Sequence, residues 1–432
     1  MIKIIDPRKR CILGLIYFYI FTGMLMDIFH LPRTILYIGD LINLYLMLSI
    51  LKAAKIRKKY SYSLFFIILI YIAVTIMGSI INFSSESIPM FIWGARNNFR
   101  FLIFMYACAL FLEKKDVDDV LNHIYIIFTI NLVVYLVEWI VLGVNGDFLG
   151  GIFGITQGCN GRLNLFLCVS CAYGMIQYFN KKCGLLLVGY IIAFSLFMAV
   201  FSELKVFFFE LVIIMAIIML GEGISMRFIL VAIGGVMALS FAISVLTTVI
   251  DYSRVTVDGG SNFFTVENIM RYLTKDSGYN GRGTDLNRFT AASQLKERFF
   301  ENDIVLHLFG IGLGKGDYSS FSMFVSDFYR RYSELHYQWF QYAWIYLETG
   351  LLGLISYLAI FMDSLRMAFK IKDKADSCYK SMTLVACSMA ILSLVYNISM
   401  RVESSGFLMF FLMAIPYIFF RDQELETQRE VE

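Results

Sequence analysis

The chain has 432 residues, of which 59% are hydrophobic and only 16% charged, with a mean hydropathy of +0.69. That excludes an ordinary soluble domain, in which about a quarter of residues carry charge. The net charge of +3 gives no reason to expect a nucleic-acid partner, because it follows from the topology signal described below.

A helix needs about 20 apolar residues to cross a hydrocarbon core. In chain order the sequence predicts spans at 11–29, 35–51, 61–81, 97–112, 120–142, 163–179, 184–201, 206–220, 228–250, 336–362, 381–400 and 405–420. The first is not read as a cleavable signal peptide: no small-residue cleavage site follows it, and a turn from Asp27 to Thr34 leads into a second span. Residues 1–250 thus hold nine spans, 251–335 one long loop and 336–420 three more spans. The polar tail, 421–432, reads as disordered and cytoplasmic. The expected fold class is an all-α polytopic membrane protein of about 12 transmembrane helices, with one large extracytoplasmic loop containing amphipathic helices. No internal repeat of the transporter kind is visible.

Orientation follows from the bias of Lys and Arg toward the cytoplasm. Lys3, Arg8, Lys9 and Arg10 precede the first span, and Lys52, Lys55, Arg57, Lys58 and Lys59 follow the second. Arg366, Lys370, Lys372, Lys374 and Lys380 follow the tenth. Short loops on the other side carry only Arg33, Arg96, Arg100, Arg162, Lys205 and Arg401. Both termini are therefore expected in the cytoplasm and the long loop outside. That loop contains none of the eight cysteines, so no disulfide framework holds it. Cys168 and Cys171 share a helix face within a span, where packing is the plain reading.

The loop holds ten Lys/Arg residues. A basic shelf on the side where positive charge is disfavoured suggests an anionic substrate at the membrane surface. From Asp251 to Gly281 it is rich in Gly, Asn, Asp and Ser, and reads as irregular. Phe289, Ala292, Leu295 and Phe299 then form one helical stripe, and Phe321, Phe324, Phe328 and Tyr332 a second. Two readings stay open: the stripes lie face down on the bilayer, or they pack on each other as a lid.

Outward-facing cations supply the candidate binding residues. Arg96 and Arg100 are one helical turn apart, Arg162 begins the sixth span and Lys205 the eighth. Each alone could be an interfacial anchor. Together, at one depth on several helices, they would suit a diphosphate, whose oxygens match the guanidinium fork. Arg282 and Arg288 flank Asp285 beside Gly281 and Gly283, an arrangement fit for a mobile anion clamp or for a plain Asp285–Arg288 surface pair. The run from Phe309 to Gly316 has glycine at 310, 312, 314 and 316. It is not a Walker loop, since Gly316 follows Lys315 where Ser or Thr is needed. Its amides could cradle an anion, or it could simply connect two helices.

His336 stands at the junction of the loop and the tenth span, where an imidazole can take a proton near neutrality or anchor a helix end. Gly350 and Gly353 read as permitting close helix packing. Glu138, Glu203, Glu210 and Glu348 fall in or near spans, where an unpaired carboxylate is costly. Glu203 sits close to Lys205 and is a candidate base; Glu210 and Glu348 read as structural. No Asp-x-Asp pair or His/Asp cluster is predicted outside, so neither a metal nor another cofactor is expected.

The order of Gly281-Arg282, then the glycine run at 309–314, then a histidine leading into Leu347 to Gly353 resembles the O-antigen ligase and polymerase superfamily of bacterial membrane glycosyltransferases. The resemblance covers roughly 280–354. It implies transfer of an undecaprenyl-diphosphate-linked glycan at the outer face of the cytoplasmic membrane. Taken together with the cations and acids above, the reading makes His336, Arg282 and Glu203 the candidate catalytic residues and Arg96, Arg100, Arg162, Lys205 and Arg288 the candidates for holding the diphosphate. The partners it implies are the lipid-linked oligosaccharide, membrane lipid and a chain-length regulator. Two departures stand out: the family histidine falls at Trp339 here, and Lys205 stands where the family has arginine. A ligase acting on lipid A or protein and, from another class, a glycolipid flippase are the alternatives.

Overall fold

The structure is a computed structural model that describes residues 6–53, 61–84, 87–222, 286–301 and 303–431, together with a few positions between 233 and 244. The described residues are helical or irregular, with no strand among them. The helices are α1 (Pro7–Ile20), α2 (Thr22–Asp27), α3 (Ile38–Lys52), α4 (Ser61–Ile81), α5 (Ser87–Phe111), α6 (Lys114–Ile140), α7 (Cys159–Phe179), α8 (Leu185–Phe201) and α9 (Lys205–Glu222). After the loop come α10 (Ala291–Leu295), α11 (Ile304–Phe309), α12 (Asp327–Tyr332), α13 (Gln341–Phe369), α14 (Ser377–Tyr396) and α15 (Glu403–Val431).

Among the described residues, six helical stretches are long and apolar enough to cross a membrane: Arg33–Lys52, Ser61–Ile81, Lys114–Ile140, Gln341–Phe369, Lys374–Tyr396 and Glu403–Gln428. They mark a multi-pass membrane protein. Twelve such spans were expected, and five of the other six fall short of that length or apolarity for local reasons. The stretch 11–29 breaks at Phe21 into α1 and α2, each shorter than a bilayer. Arg96, Asn97, Asn98 and Arg100 interrupt the apolar run of α5, while Arg162, Asn164 and Gln177 do so in α7. The helix α9 carries Lys205, Glu210 and Glu222, and α8 is a short apolar helix. The stretch 228–250 lies almost wholly outside the described residues.

Packing sorts the helices by depth. The helix α15 is the centre, with 89% of its apolar window buried, and it packs on α1, α5, α13 and α14. In turn α13 lies on α4 and α14, and α14 on α7 and α9. At the rim, α4 buries only 33% of its window and exposes Phe66, Ile70, Met77 and Ile80. Exposed apolar surface of this extent needs lipid against it.

The tail, read as disordered, is instead the last turns of α15. The first residues of that tail have work to do. The final carbonyls of α5 lack helical partners, and the Arg421 guanidinium donates to Leu112 O and, at 3.0 Å, to Ala109 O. Asp422 accepts from the amide of Lys114 at 2.7 Å and so caps the start of α6.

Gly350 permits close packing, with Leu308 C and O of α11 only 2.3 Å from where a Cβ would stand, and it is also a break in α13. Its φ is 67° and ψ −169°, a region open essentially to glycine alone. The carbonyls of Leu347 and Glu348, which a continuous helix would use, accept from Ile311 N at 2.9 Å and Gly312 N at 3.0 Å. Non-helical backbone at membrane depth is tolerated where protein buries it, and here the glycine run fills that need. The fit is close: a Cβ on Gly314 would lie 1.9 Å from Met90 O of α5.

The two predicted amphipathic helices are shorter than their stripes. The first is α10 followed by a wide turn over Lys296–Phe300; the second is the six-residue α12, with Phe321 and Phe324 in the chain before it. Their rings meet one another: Phe299 lies 5.0 Å from Phe328 and 4.7 Å from Tyr332, and Phe324 stacks on Trp93 of α5 at 5.3 Å. Of the two readings left open, mutual packing is the one these contacts show.

Candidate anion site at the loop end of the bundle

Helix ends that are far apart in sequence meet at one end of the bundle. From the first turn of α7, Asn160 Nδ2 donates to Ser202 O at 3.0 Å and Asp147 Oδ1 at 2.7 Å, drawing in the α8–α9 turn. The first amide of α13, at Gln341, donates to Asn397 O at 3.3 Å, at the end of α14. Arg100 Nη2 of α5 donates to Arg401 O at 2.8 Å, just before α15.

Five cations predicted from sequence fall here in two groups. In the first, Arg96 Nε pairs with Asp40 Oδ2 at 2.8 Å and its Nη1 donates to Asn97 Oδ1 at 2.6 Å, with the guanidinium over Trp93. Arg100 is buried and pairs through Nη1 with Glu403 Oε1. Its Nε is buried without a hydrogen-bond partner among the described residues. Arg162 donates to Thr156 Oγ1 at 3.2 Å and feels the charges of Asp27 and Glu403. Carboxylates thus already occupy Arg96 and Arg100. A ligand would have to share or displace them.

The second group joins the start of α9 to the second half of the long loop. Lys205 opens α9, and Arg288 follows the undescribed part of the loop. Lys205 feels the charges of Glu203, Asp147 and Arg288. The Arg288 guanidinium lies 4.0 Å from the Tyr396 ring centre and 6.0 Å from that of Phe340. Its backbone is fixed by Tyr342, whose hydroxyl donates to Arg288 O at 2.7 Å, and by Leu286 N donating to Leu335 O at 3.0 Å. Like charges brought together on a fixed scaffold raise the local positive potential, the condition for holding a multivalent anion.

Arg282 and Asp285 lie outside the described residues, as does 251–281. Glu203 sits in the tight turn after α8 with φ 57°. A Cβ on Gly146 would lie 3.1 Å from its Oε1, which puts the carboxylate beside the 146–148 turn as well as near Lys205. His336 was expected to open the tenth span. Instead it adopts φ 53° in irregular chain ahead of α13, and its ring stacks on Trp339 at 4.0 Å and 19°. Its Nδ1 is buried without a hydrogen-bond partner among the described residues. A second histidine of the loop, His307, bonds through Nδ1 to Tyr346 OH at 2.7 Å.

The glycine run does not act as an open amide cradle. The amides of Ile311 and Gly312 serve α13, Leu313 N donates to Ser79 Oγ at 3.0 Å, and Gly316 N to Glu348 Oε1 at 3.0 Å. The run instead delivers Asp317. That carboxylate takes Arg401 Nη2 at 2.6 Å and Asn97 Nδ2 at 2.8 Å, with Arg401 lying 3.7 Å over Trp344. Sequence reading passed over this buried Asp317–Arg401 pair, because Arg401 registered only as a loop charge and its partner lies 84 positions away. Removing one partner of such a pair costs about 3–5 kcal/mol. Asp317→Ala is therefore expected to lower the melting temperature of the detergent-purified protein sharply, and Asp317→Glu to lower it less; an unchanged melt for Asp317→Ala would contradict the pairing.

Of the buried acids, Glu138 Oε2 accepts from Gly151 N at 2.6 Å, and Glu210 accepts from Asn164 Nδ2 at 2.6 Å. Both hold helix to loop or helix to helix. Among the described residues no group of three or more His, Cys, Asp or Glu is placed to hold a metal. Compared with known protein families and with curated proteins, the chain matches no family model and no curated sequence.

Proposed function

We propose that the protein is a polysaccharide polymerase, transferring a growing undecaprenyl-diphosphate-linked glycan onto another lipid-linked repeat unit at the outer face of a bacterial cytoplasmic membrane. In this reading the chain crosses the membrane about twelve times with both termini inside. The observation that carries the reading is that Lys205, at the start of α9, feels the charge of Arg288, which lies inside the long loop. The order of motifs described above adds to it.

In the proposed reaction the bond between the donor sugar's anomeric carbon and the diphosphate oxygen breaks, and the acceptor hydroxyl oxygen forms the new glycosidic bond. Charge builds on the departing diphosphate. Lys205 and Arg288, with Arg162 from the first group and Arg282 close to Arg288 in the sequence, oppose it; fixed charge aimed at the leaving group is the largest electrostatic contribution such a site can make. Arg96 and Arg100, already held by Asp40 and Glu403, brace the site and add to its field. The hydroxyl proton passes to His336, whose Nδ1 has unused capacity. Holding two lipid-bound reactants side by side supplies a further gain in effective concentration.

The test is incubation of the purified protein with synthetic undecaprenyl-diphosphate repeat unit, with products resolved by size. A lipid-linked ladder is expected. Unchanged single repeats would overturn the proposal, and movement of repeats across vesicle membranes without a ladder would identify a flippase. His336→Ala is expected to slow ladder growth about 100- to 10,000-fold; a normal rate would remove the imidazole from the mechanism.

A further inference from the structure

A cleft of about 200 Å³ opens between the end of α4, the start of α5 and the glycine run. Its walls are Ile76, Ile80, Phe83, Ile88, Phe91 and Leu313, and its one charged lining residue is Lys315. Ile80, Phe83 and Ile88 are 68%, 61% and 58% exposed, so the cleft is open on its apolar side. Lys315 is held at the loop side, its ammonium donating to Asn82 O at 2.5 Å. An apolar trough with one cation at its polar margin is complementary to an amphiphile with an apolar chain and an anionic head.

We propose that this cleft holds the prenyl chain of the second lipid-linked substrate, the one whose sugar hydroxyl attacks, with its diphosphate against Lys315. The inference rests on the polymerase reading, which requires two lipid-linked molecules at once. Position favours two separate seats. The helix α4 packs on α13, whereas α7 and α9 pack on α14. The cleft is thus built on a helix that packs on α13 and Lys205 on a helix that packs on α14, and the glycine run that lines the cleft carries Asp317 on to Arg401. Charge decides which substrate sits where. The donor's diphosphate gains charge as it leaves and needs the two converging cations. The acceptor's diphosphate does not change charge during transfer, so one ammonium is enough. A cleft of this size takes the part of the chain next to the head, and the remainder would lie in the bilayer.

The experiment uses a photoreactive farnesyl diphosphate on the full-length protein in nanodiscs, with a photoreactive farnesol lacking phosphates as comparison. Crosslinks are expected in the 76–91 and 311–316 segments. Undecaprenyl diphosphate should abolish them and phosphatidylglycerol should not. Ile80→Trp fills the cleft from an exposed position and should weaken labelling about tenfold, the effect of excluding two methylene groups from an apolar site. Lys315→Gln should weaken labelling by the diphosphate probe and leave the farnesol probe unchanged. Equal competition by phosphatidylglycerol would reduce the cleft to a bilayer-lipid contact and overturn the proposal, as would labelling confined to other segments. Ile80→Trp should also slow the ladder assay about tenfold. A normal ladder from Ile80→Trp would sink the inference and leave the polymerase reading standing. Specific labelling of a wild-type protein that makes no ladder would sink the polymerase reading, and with it the role assigned to the cleft.

Discussion

Arg288→Ala is expected to reduce ladder formation by about 100- to 1,000-fold, the cost of removing one fixed donor from a charge-stabilising site, while the protein still folds and reaches the membrane. The backbone at 288 is held by the Tyr342 hydroxyl and by the Leu286–Leu335 bond, neither of which involves the arginine side chain. What the substitution removes is a guanidinium that lies over Tyr396 and whose charge Lys205 feels. Arg288→Lys should fall between, because it restores charge but not the two-pronged donor geometry that diphosphate oxygens prefer. Lys205→Ala should show a loss of similar kind, and the double variant less than the product of the two, since both residues act on one ligand. Rates come from single-turnover ladder assays, and folding from melting curves of the same preparations. A near-normal rate for Arg288→Ala with an intact melt would mean that the meeting of these two cations has no part in the chemistry.

The long apolar helices were legible because span length is set by bilayer thickness and needs no knowledge of neighbours. The stretch 61–81 matches its helix end for end, and 405–420 lies wholly within α15. What was not legible depends on contacts. Nothing local marks the break at Phe21 or the one at Gly350; the second exists because the glycine run supplies hydrogen bonds to the freed carbonyls of Leu347 and Glu348. The arginines were visible as a set, but their occupancy was not. Asp40 lies 56 positions from Arg96, and Glu403 303 positions from Arg100, so no window on the sequence could show that these cations are already paired. The aromatic stripes misled in a different way. A helical period in 321–332 was real only for its second half, because Phe324 is claimed by Trp93 from another helix.

The break in α13 should be an unforgiving backbone position. Gly350→Ala is expected to cost more than about 4 kcal/mol, seen as loss of monodisperse protein or a collapsed melting transition. Two effects combine. Holding a residue with a side chain in that backbone region costs about 1–3 kcal/mol, and the new Cβ would lie 2.3 Å from Leu308 C and O, backbone atoms that cannot swing away. Gly143 separates the two, since it shares φ +67° and has nothing within 4 Å of an added Cβ. Gly143→Ala should therefore pay only the conformational part and remain folded. If both variants melt together, close approach contributes nothing and the docking of the glycine run against α13 is not the constraint described above. If Gly350→Ala alone fails, the same contact that fills the helix break also delivers Asp317 to Arg401. Fold and site would then fail together, because one loop of glycines serves both.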